Sequence, residues 1–412
     1  MHDIEILISG AGPAGSATSL FLSKLKIPHT IIDKASFPRD KICGDALSGK
    51  VINVLNKIDN QIVNEFTSNS GQFTGSYGIC FFAPNGKKLE VPFSMKPDLL
   101  KNAPGFIARR INFDNNLFKR IDRKFAKVEE QTELIDVIKE DDGLIAHLKN
   151  ANGSYQKKFK LIVGADGDRS IVAKKLNPLK KNLTNYCAGL RAYYNGVKGT
   201  HENNFIELHF LKELLPGYFW IFPMNDGSAN IGIGILSDVV SRKKINLKTK
   251  MEDIIANHPT IKNRFKEAKL VGDIHGWGLP LGSAKRSLAG DNYILTGDAG
   301  SLIDPFTGEG IGNALYSGML AADTIAEAIA VNKFDKEFLS VYEKKLYNNL
   351  DKELKLSHSI QKLAHHAWLF NLVINKARKN STLSETITCM FDDIDIRERL
   401  RKPSFYFKLL FN

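Results

Sequence analysis

Cysteine is scarce in this chain, and its placement limits the kinds of site that can form. The 412 residues include four cysteines, Cys43, Cys80, Cys187 and Cys389, with no Cys-x-x-Cys pair among them. Zinc sites and iron–sulfur clusters need thiolates grouped at short spacing. We therefore expect no metal site, and we take the thiols to be reduced.

Long apolar runs are also missing. No uninterrupted apolar stretch reaches the length of about 18 residues that a membrane-spanning helix needs. The first residues, Met1 to Ile8, have no basic leader and pass directly into a strand-like apolar run. These features predict a cytoplasmic protein that is not integral to a membrane.

Positive charge is in excess, but no basic tract dominates. The chain has 57 Lys and Arg against 45 Asp and Glu, a net charge of +12, and 43% of its residues are hydrophobic. A chain of this length suggests two or three domains at roughly 100–200 residues each. Because the basic residues are spread along the chain, charge alone does not choose among nucleic acid, an anionic membrane and an anionic cofactor.

The first strong pattern is a strand, a glycine turn, a helix and a second strand in residues 4–33. Gly10 permits a tight turn, Gly12 lets the backbone approach a pyrophosphate, and Gly15 allows close packing of helix on strand. Asp33 ends the second strand, close to the spacing of about 20 residues expected for an acid that accepts ribose hydroxyls. The pattern predicts dinucleotide binding without separating FAD from NAD.

Two later segments favour a flavin. Residues 161–170 form a buried strand that ends in a turn at Asp166 and Gly167 and opens a helix. Residues 293–314 form a short strand that delivers Asp298 to a ribityl-type polyol, followed by a glycine-rich turn and a helix. The N terminus of that helix would offer N–H groups and a positive dipole to the flavin pyrimidine edge.

Together the three segments resemble the FAD-dependent oxidoreductases of the p-hydroxybenzoate hydroxylase fold. Residues 37–49 resemble the cysteine-containing FAD loop of the geranylgeranyl reductase family, and residues 216–223 resemble its Tyr-x-Trp-x-Phe-Pro signature. Arg110 matches the arginine that these flavoproteins present from a helix, with its neighbour Arg109 as a one-residue alternative. The motifs and the resemblance predict these FAD-binding residues: Gly10, Gly12, Ala14, Gly15, Asp33, Lys41, Cys43, Gly44, Arg110, Asp166, Gly167, Asp298, Pro305, Gly308, Gly310, Ile311, Gly312 and Asn313.

The same reasoning predicts the fold. We expect an α/β protein with a discontinuous Rossmann-like FAD-binding domain, made of a parallel sheet and a β-meander. An antiparallel-sheet substrate domain and a C-terminal helical region complete it. The predicted boundaries are 1–71, 96–184 and 281–335 for the FAD-binding domain, 72–95 and 185–280 for the substrate domain, and 336–412 for the helical region.

Three residues are candidates for the chemistry: Cys43, Tyr218 and Trp220. Tyr218, Trp220 and Phe222 alternate along one strand, so their side chains share a face. That face is either core or the wall of an apolar substrate site, and the family resemblance favours the substrate site. Cys43 follows a basic Arg39-x-Lys41 pair, which suits a thiolate or a proton donor, whereas the alternative is a small packing residue.

The resemblance implies an FAD-dependent reductase of C=C bonds in an isoprenoid or other apolar lipid, such as a polyprenyl lipid. No second nucleotide-binding βαβ unit is evident, so NAD(P)H would be a transient, external reductant. Two alternatives stay open: a flavin monooxygenase acting on an aromatic or polyene substrate, and a non-enzymatic FAD electron-transfer protein. No nucleic-acid partner is expected.

Basic and aromatic residues in 368–379 and 405–411 suggest peripheral contact with the inner face of a membrane.

Overall fold

The structure is a computed structural model that describes residues 5–94, 100–180 and 182–378. The strands in these residues are β1 Ile6–Ser9, β2 His29–Ile32, β3 Ala46–Leu47, β4 Thr74–Ser76, β5 Gly78–Phe82, β6 Lys88–Pro92, β7 Gly105–Ile107, β8 Ala126–Glu129, β9 Glu133–Glu140, β10 Gly143–Asn150, β11 Gly153–Phe159, β12 Leu161–Gly164, β13 Tyr186–Asn195, β14 Ile206–His209, β15 Tyr218–Pro223, β16 Ser228–Leu236, β17 Lys269–Pro280, β18 Ala289–Gly290 and β19 Tyr293–Leu295. The α-helices there are α1 Pro13–Lys24, α2 Gly49–Ile58, α3 Gln61–Ser68, α4 Arg110–Lys119, α5 Ile171–Leu176, α6 Ser237–Lys243, α7 Leu247–Asn257, α8 Ile311–Val331, α9 Lys336–Leu363 and α10 Ala367–Ala377. The predicted α/β class is confirmed.

The chain folds into two compact units, each assembled from three segments. The first unit draws on the described residues of Met1–Lys41, Arg110–Asn185 and Leu279–His358, and the second on those of Ile42–Arg109, Tyr186–Gly278 and Ser359–Asn412.

This division differs from the predicted domains in two places. Most of residues 42–71 and 96–109 belong to the second unit, because β3, β7 and β4 pair with one another in a small antiparallel sheet. The predicted helical region 336–412 is divided between the units, and Tyr342 of α9 donates its hydroxyl to the Leu295 carbonyl of the first unit at 2.9 Å.

The first unit is built on a six-stranded sheet in the order β18-β19-β12-β1-β2-β8. All its strands except β18 run parallel, and β1, β2, β12 and β19 are buried at every position. Parallel strands buried on both faces read as continuous apolar runs, which is the pattern seen in the sequence. The predicted meander is also confirmed: β9, β10 and β11 form a three-stranded sheet whose apolar side chains share a core with β1, β2 and β12.

The second unit is built on a seven-stranded sheet in the order β17-β13-β16-β15-β14-β5-β6. The pairs β13–β16, β15–β16, β14–β15 and β5–β6 are antiparallel, as predicted. The pair β14–β5 is parallel, so the prediction of an antiparallel sheet was wrong at this pairing. Its two strands come from distant segments, so no hairpin connection forces them to run in opposite directions.

Helix α8 is long and apolar enough to cross a membrane by length and composition. Within its most apolar window 56% of the residues are buried inside the protein, and core helices of soluble proteins pass the same test. Its Gly318 packs on α1, where an added Cβ would lie 2.4 Å from the Ala14 carbonyl oxygen. The absence of a side chain at Gly318 therefore sets how closely α1 and α8 approach.

Replacing Gly318 with valine should lower the free energy of unfolding by about 2 kcal/mol or more, because the side chain would overlap the α1 backbone. Chemical denaturation of the purified protein measures this change. Ala330→Val on the exposed side of α8 is the matched control, with an expected cost of about 0.5 kcal/mol from helix propensity alone. Equal losses for the two variants would contradict the packing role of Gly318.

Candidate functional site

In the glycine turn after β1, neighbouring backbone leaves no room for a side chain at Gly10 or Gly15, whereas the space at Gly12 is open. Gly10 has a φ of +100°, and an added Cβ there would lie 2.5 Å from the Ala165 carbonyl oxygen. At Gly15 a Cβ would lie 1.8 Å from the Gly10 carbonyl oxygen. At Gly12, by contrast, the nearest atom to a Cβ is Nη2 of Arg39 at 3.6 Å. The protein itself does not fill the space in front of Gly12, so a ligand can approach the backbone there.

Asp33 lies at the end of β2 and is tied to the same turn. Its Oδ2 accepts a hydrogen bond from the Ala11 backbone N–H at 3.0 Å and lies 3.6 Å from Nη2 of Arg39. Its Oδ1 accepts from the Ala35 N–H at 2.9 Å. This places a buried carboxylate beside Gly12, where the adenosine ribose of a dinucleotide is expected.

A buried acid holds two arginines next to this turn. Asp114 accepts hydrogen bonds from Nε and Nη2 of Arg110 at 2.6 and 2.8 Å, and from Nη1 of Arg39 at 2.8 Å. Arg109 belongs to the second unit, where it bonds Asp226 and Ser228 at 3.1 Å. The geometry therefore favours Arg110 over Arg109 as the arginine beside the dinucleotide turn.

The second and third acids, Asp166 and Asp298, follow β12 and β19. Strand β12 pairs in parallel with β1, and β19 pairs in parallel with β12, so the carboxyl ends of the three strands lie in one row. Asp166 accepts from the N–H of Ile171, the first residue of α5, through Oδ2 at 2.7 Å, while its buried Oδ1 has no hydrogen-bond partner in the structure. Burial raises the pKa of Asp166. Burial also raises the pKa of Asp298, against the opposing charges of Lys41 and Arg110 nearby. The three sequence motifs thus meet at one edge of the sheet.

The glycine-rich turn before α8 is held by its own side chains. Oδ1 of Asp304 accepts from the backbone N–H groups of Phe306 and Thr307, the two residues after Pro305, at 3.0 and 2.8 Å. The N–H of Gly308, which has a φ of +75°, donates to the Asp304 carbonyl at 3.1 Å. These bonds shape the turn without a ligand.

The start of α8 continues this arrangement. Glu309 accepts from the Gly312 N–H at 2.5 Å, and the Asn313 amide donates to the Leu302 carbonyl at 2.7 Å. A Cβ on Gly310 would lie 3.8 Å from Oδ1 of Asp298, so the helix begins next to that acid. Gly312 and Asn313 thus stabilise the turn, and their predicted contacts with a cofactor stay predictions, as does that of Ile311.

These residues fit FAD. Helix α1 has no acidic residue in its first turn, so its N terminus and Gly12 suit an anionic pyrophosphate. The first unit brings together most of the predicted FAD-binding residues: Gly10, Gly12, Ala14, Gly15, Asp33, Lys41, Arg110, Asp166, Gly167, Asp298, Pro305, Gly308, Gly310, Ile311, Gly312 and Asn313. Cys43 and Gly44 belong to the second unit.

The second unit carries a row of aromatic rings along its large sheet. Neighbouring ring centroids lie 5.6–6.3 Å apart, and we call these five side chains the aromatic row: Phe81, Phe210, Tyr218, Trp220 and Phe222. Tyr218 is half-buried, and the others are buried. The predicted shared face of Tyr218, Trp220 and Phe222 is therefore part of a longer row of mostly buried aromatic rings.

Glycines on the neighbouring strand β16 make room for the indole of Trp220. Gly232 pairs with Trp220 in the sheet, and a Cβ there would lie 2.2 Å from Cζ2 of the indole ring. A Cβ on the next glycine, Gly234, would lie 3.9 Å from the same ring and 3.4 Å from Sγ of Cys187. Burial raises the pKa of the Cys187 thiol to about 12. The indole ring of Trp220 therefore occupies the space that a side chain at position 232 would need.

The loop of Cys43 lies against one end of the aromatic row. A Cβ on Gly44 would lie 3.0 Å from the Phe222 ring. Asn230 accepts a hydrogen bond from Nε1 of Trp220 at 2.9 Å and donates to the Cys43 carbonyl at 2.8 Å. It also donates to Oδ2 of Asp45 at 2.8 Å. This connects the predicted candidates Cys43 and Trp220 through one side chain.

Asn230 and Tyr193 were not predicted from the sequence. Tyr193 donates its hydroxyl to Asp45 at 2.6 Å, and Asn230 is fully buried in a strand whose nine residues are all buried. The sequence held one signal, because Asn230 is a single amide in an apolar run of Ala, Ile and Gly. A polar side chain in such a buried strand is nearly always hydrogen-bonded. Its partners lie far away in the chain, so they were not evident from the sequence.

Similarity to known proteins agrees with this geometry. A family model for an FAD binding domain matches residues 3–346. A digeranylgeranylglycerophospholipid reductase of Methanococcus vannielii is 30% identical over 367 residues, which are 87% of this chain and 87% of that protein. The chain belongs to the geranylgeranyl reductase family of FAD-dependent oxidoreductases.

Further comparisons support this geranylgeranyl reductase-family fold. A menaquinone reductase of Mycolicibacterium smegmatis is 28% identical over 331 residues, covering 77% of this chain and 75% of that one. The solved structure of a geranylgeranyl bacteriochlorophyll reductase-like protein of Thermoplasma acidophilum matches with a TM-score of 0.80 at 22% identity, covering 96% of this chain and 98% of the other. The predicted family, fold and FAD cofactor are confirmed.

Replacing Gly12 with alanine should raise the Kd for FAD about tenfold or more, because the new methyl group occupies the space in front of the open backbone. The apoprotein should keep its stability within about 1 kcal/mol, since nothing in the protein lies closer than van der Waals contact. Fluorescence titration of the apoprotein with FAD measures the first quantity. Gly71→Ala, at a turn with equally open space, should leave FAD affinity unchanged, and equal affinities for the two variants would disprove the role of Gly12.

Proposed function

We propose that this geranylgeranyl reductase-family protein reduces C=C bonds of a long isoprenoid or similarly apolar lipid. The observation that carries the proposal is the aromatic row, an extended apolar surface whose indole N–H is already bonded to Asn230. Such a surface offers contact area to a hydrocarbon and leaves no unpaired polar group against it. Two relatives, a digeranylgeranylglycerophospholipid reductase and a menaquinone reductase, support the same substrate class.

FAD, when bound and reduced by an external reductant, would supply the hydride that such a reduction needs. In this proposal the residues of the first unit hold it: Gly12 and the N terminus of α1 bind the pyrophosphate, Asp33 the ribose, and Asp298 the ribityl chain. Arg110, fixed by Asp114, adds a positive charge that favours the anionic cofactor.

Cys43 is the described thiol best suited to hold or donate a proton. Cys43 and Cys187 are partly exposed and Cys80 is buried, and burial raises the pKa of the Cys80 and Cys187 thiols to about 12. Tyr218 is the partly exposed member of the aromatic row, and Trp220 is its central indole. We assign Tyr218 and Trp220 to substrate positioning, and Cys43 to proton transfer at Sγ.

NAD(P)H is the proposed external reductant. The described residues contain one glycine turn of the dinucleotide-binding type, after β1, and this turn is assigned to FAD. NAD(P)H would therefore bind transiently and leave after reducing the flavin.

Lipid-dependent oxidation of the reduced flavin tests this function. The purified yellow protein is reduced without oxygen by NADPH or NADH, and a polyprenyl lipid in detergent micelles is then added while the flavin absorbance is followed. We expect reoxidation with formation of a saturated product. Trp220→Ala should slow it about tenfold or more through lost substrate contact, with FAD retained. Leu270→Ala, which truncates an exposed side chain on the same sheet, is the control.

Two results would reject the reductase function. A hydroxylated product on adding oxygen would assign the protein to the monooxygenases. Failure of either pyridine nucleotide to reduce the flavin, with or without lipid, would favour an electron-transfer role.

We also propose peripheral contact with an anionic membrane surface through a patch of the second unit. Leu363 and Trp368 flank the turn between α9 and α10 and are 49% and 67% exposed. Partial burial lowers the pKa of His365 in this turn, and the nearby charges of Arg242 and Lys243 lower it further. Exposed apolar and basic side chains together suit a membrane interface with anionic lipid. The predicted segment 405–411 lies outside the described residues.

The triple variant Trp368→Ser/Arg242→Gln/Lys243→Gln should bind vesicles of phosphatidylglycerol and phosphatidylcholine about tenfold more weakly than the parent, because it loses apolar contact and positive charge. Vesicle co-sedimentation at low and high salt measures binding. Leu179→Ser removes a similarly exposed apolar side chain from the first unit and should bind normally. Unchanged binding of the triple variant would remove this patch from the membrane contact. Such contact fits the predicted location at the inner face of a membrane.

A further inference from the structure

The side-chain amide of Asn230 is hydrogen-bonded to the Trp220 indole, the Cys43 carbonyl and the Asp45 carboxylate. Trp220 and Cys43 have roles in the proposed reaction. Its oxygen accepts a hydrogen bond from the Trp220 indole N–H, and its nitrogen donates to the Cys43 carbonyl and the Asp45 carboxylate, at distances of 2.8–2.9 Å. We propose that Asn230 is a positioning residue that holds the cysteine loop, residues 42–45, at a fixed place against the aromatic row. Its effect on turnover rests on the proposed reductase function, whereas its effect on the loop does not.

The chemistry of the partners requires an amide at this position. An indole N–H only donates, and a carbonyl and a carboxylate only accept. A side chain that bonds all three must therefore present one acceptor and two donor hydrogens, which is the inventory of Asn. Residue 230 is fully buried, so any of these bonds that is lost leaves an unsatisfied polar group.

The far side of the network is anchored as well. Asp45 is fully buried with a φ of +70°, and its Oδ2 also accepts the Tyr193 hydroxyl at 2.6 Å. The Tyr193 ring has guanidinium groups of Arg109 and Arg191 at 4.6 and 4.4 Å from its centroid. Cation–π contacts of this kind fix the ring, so the carboxylate that Asn230 binds is itself held in place.

The position of the cysteine loop matters because its neighbour is the aromatic row. Gly44 packs against Phe222, leaving room for no larger residue without a shift. Cys43 precedes Gly44 directly, so a movement of the loop changes the distance between the thiol and the surface proposed to hold the substrate. Displacements of about 1 Å can cost a large factor in rate when reacting groups must be aligned.

Asn230→Asp tests the proposal with almost no change in shape. The variant keeps an acceptor for Trp220, loses both donors, and places a second carboxylate against Asp45. We expect alkylation of Cys43 by iodoacetamide to become at least about threefold faster, and kcat to fall about tenfold, with KM and the Kd for FAD little changed. Two adjoining carboxylates share a proton at low pH, so both effects should shrink as the pH falls.

Cysteine alkylation is read at the Cys43 peptide by mass spectrometry. Cys80 is buried, and burial raises the pKa of its thiol to about 12, so it reacts slowly near pH 8 and serves as the internal reference. The emission of Trp220, compared with that of a Trp220→Phe variant, reports on its hydrogen bond. Neither readout needs a lipid substrate.

The double variant Asp45→Asn/Asn230→Asp separates positioning from simple stability. The exchange restores a hydrogen bond between residues 45 and 230 and keeps the acceptor for Trp220, but it does not restore the donor to the Cys43 carbonyl. Tyr193 and residue 230 both bond Oδ2 of Asp45, so the NH2 group that replaces this oxygen would donate to the carboxylate at position 230 and to the Tyr193 hydroxyl oxygen. We expect its stability to return towards that of the parent while Cys43 alkylation stays fast and kcat stays low. Recovery of alkylation and kcat together with stability would reduce Asn230 to a structural role and overturn the proposal.

The positioning proposal would also be overturned if the Asn230→Asp variant had the same Cys43 alkylation rate and the same kcat as the parent protein. If lipid never reoxidises the reduced parent protein, the reductase function fails, yet faster Cys43 alkylation in both variants would still support the positioning of the loop.

Discussion

The close approach of backbone at the carboxyl ends of three parallel strands is the constraint on which the cofactor site depends. The sheet hydrogen bonding continues past the strands into the turns: Gly10 donates to Ile32, Ala165 to Ser9 and Thr296 to Gly164, at 2.8–2.9 Å. With the turns so close, a side chain at position 10 would strike the neighbouring turn. Because parallel strands end at the same edge, segments separated by more than a hundred residues can serve one ligand.

In the second unit the constraint is the indole of Trp220, a polar N–H group within an otherwise apolar row of rings. An unbonded N–H in that row would carry a desolvation cost of about 1–3 kcal/mol. Asn230 removes this cost and, through its second and third bonds, connects the indole to the loop of Cys43. The buried N–H of Trp220 needs a hydrogen-bond acceptor, and the residue that supplies it, Asn230, also fixes the position of the Cys43 loop.

Local patterns predicted the elements more successfully than their partners. The strand β15, the meander β9–β11 and the strand–turn–helix after β1 were evident from the sequence because periodicity and turn residues act over a few positions. The parallel pairing of β14 with β5 and the small sheet of β3, β7 and β4 were not predicted. These pairings depend on which distant strand offers a free edge, and nearby residues do not encode that choice.

The sequence by itself determined the dinucleotide-binding turn and the order of the motifs, because glycine turns and acids at set spacing report directly on a backbone that approaches a dinucleotide. The later motifs and their resemblance to geranylgeranyl reductases pointed to the flavin and to the family. Tertiary structure decided which arginine stands beside that turn, since Arg109 and Arg110 are neighbours in sequence but bond acids in different units. It also decided that Asn230 joins Trp220 to Cys43. Both outcomes follow from contacts between residues far apart in the chain, which form only when the sheets have assembled.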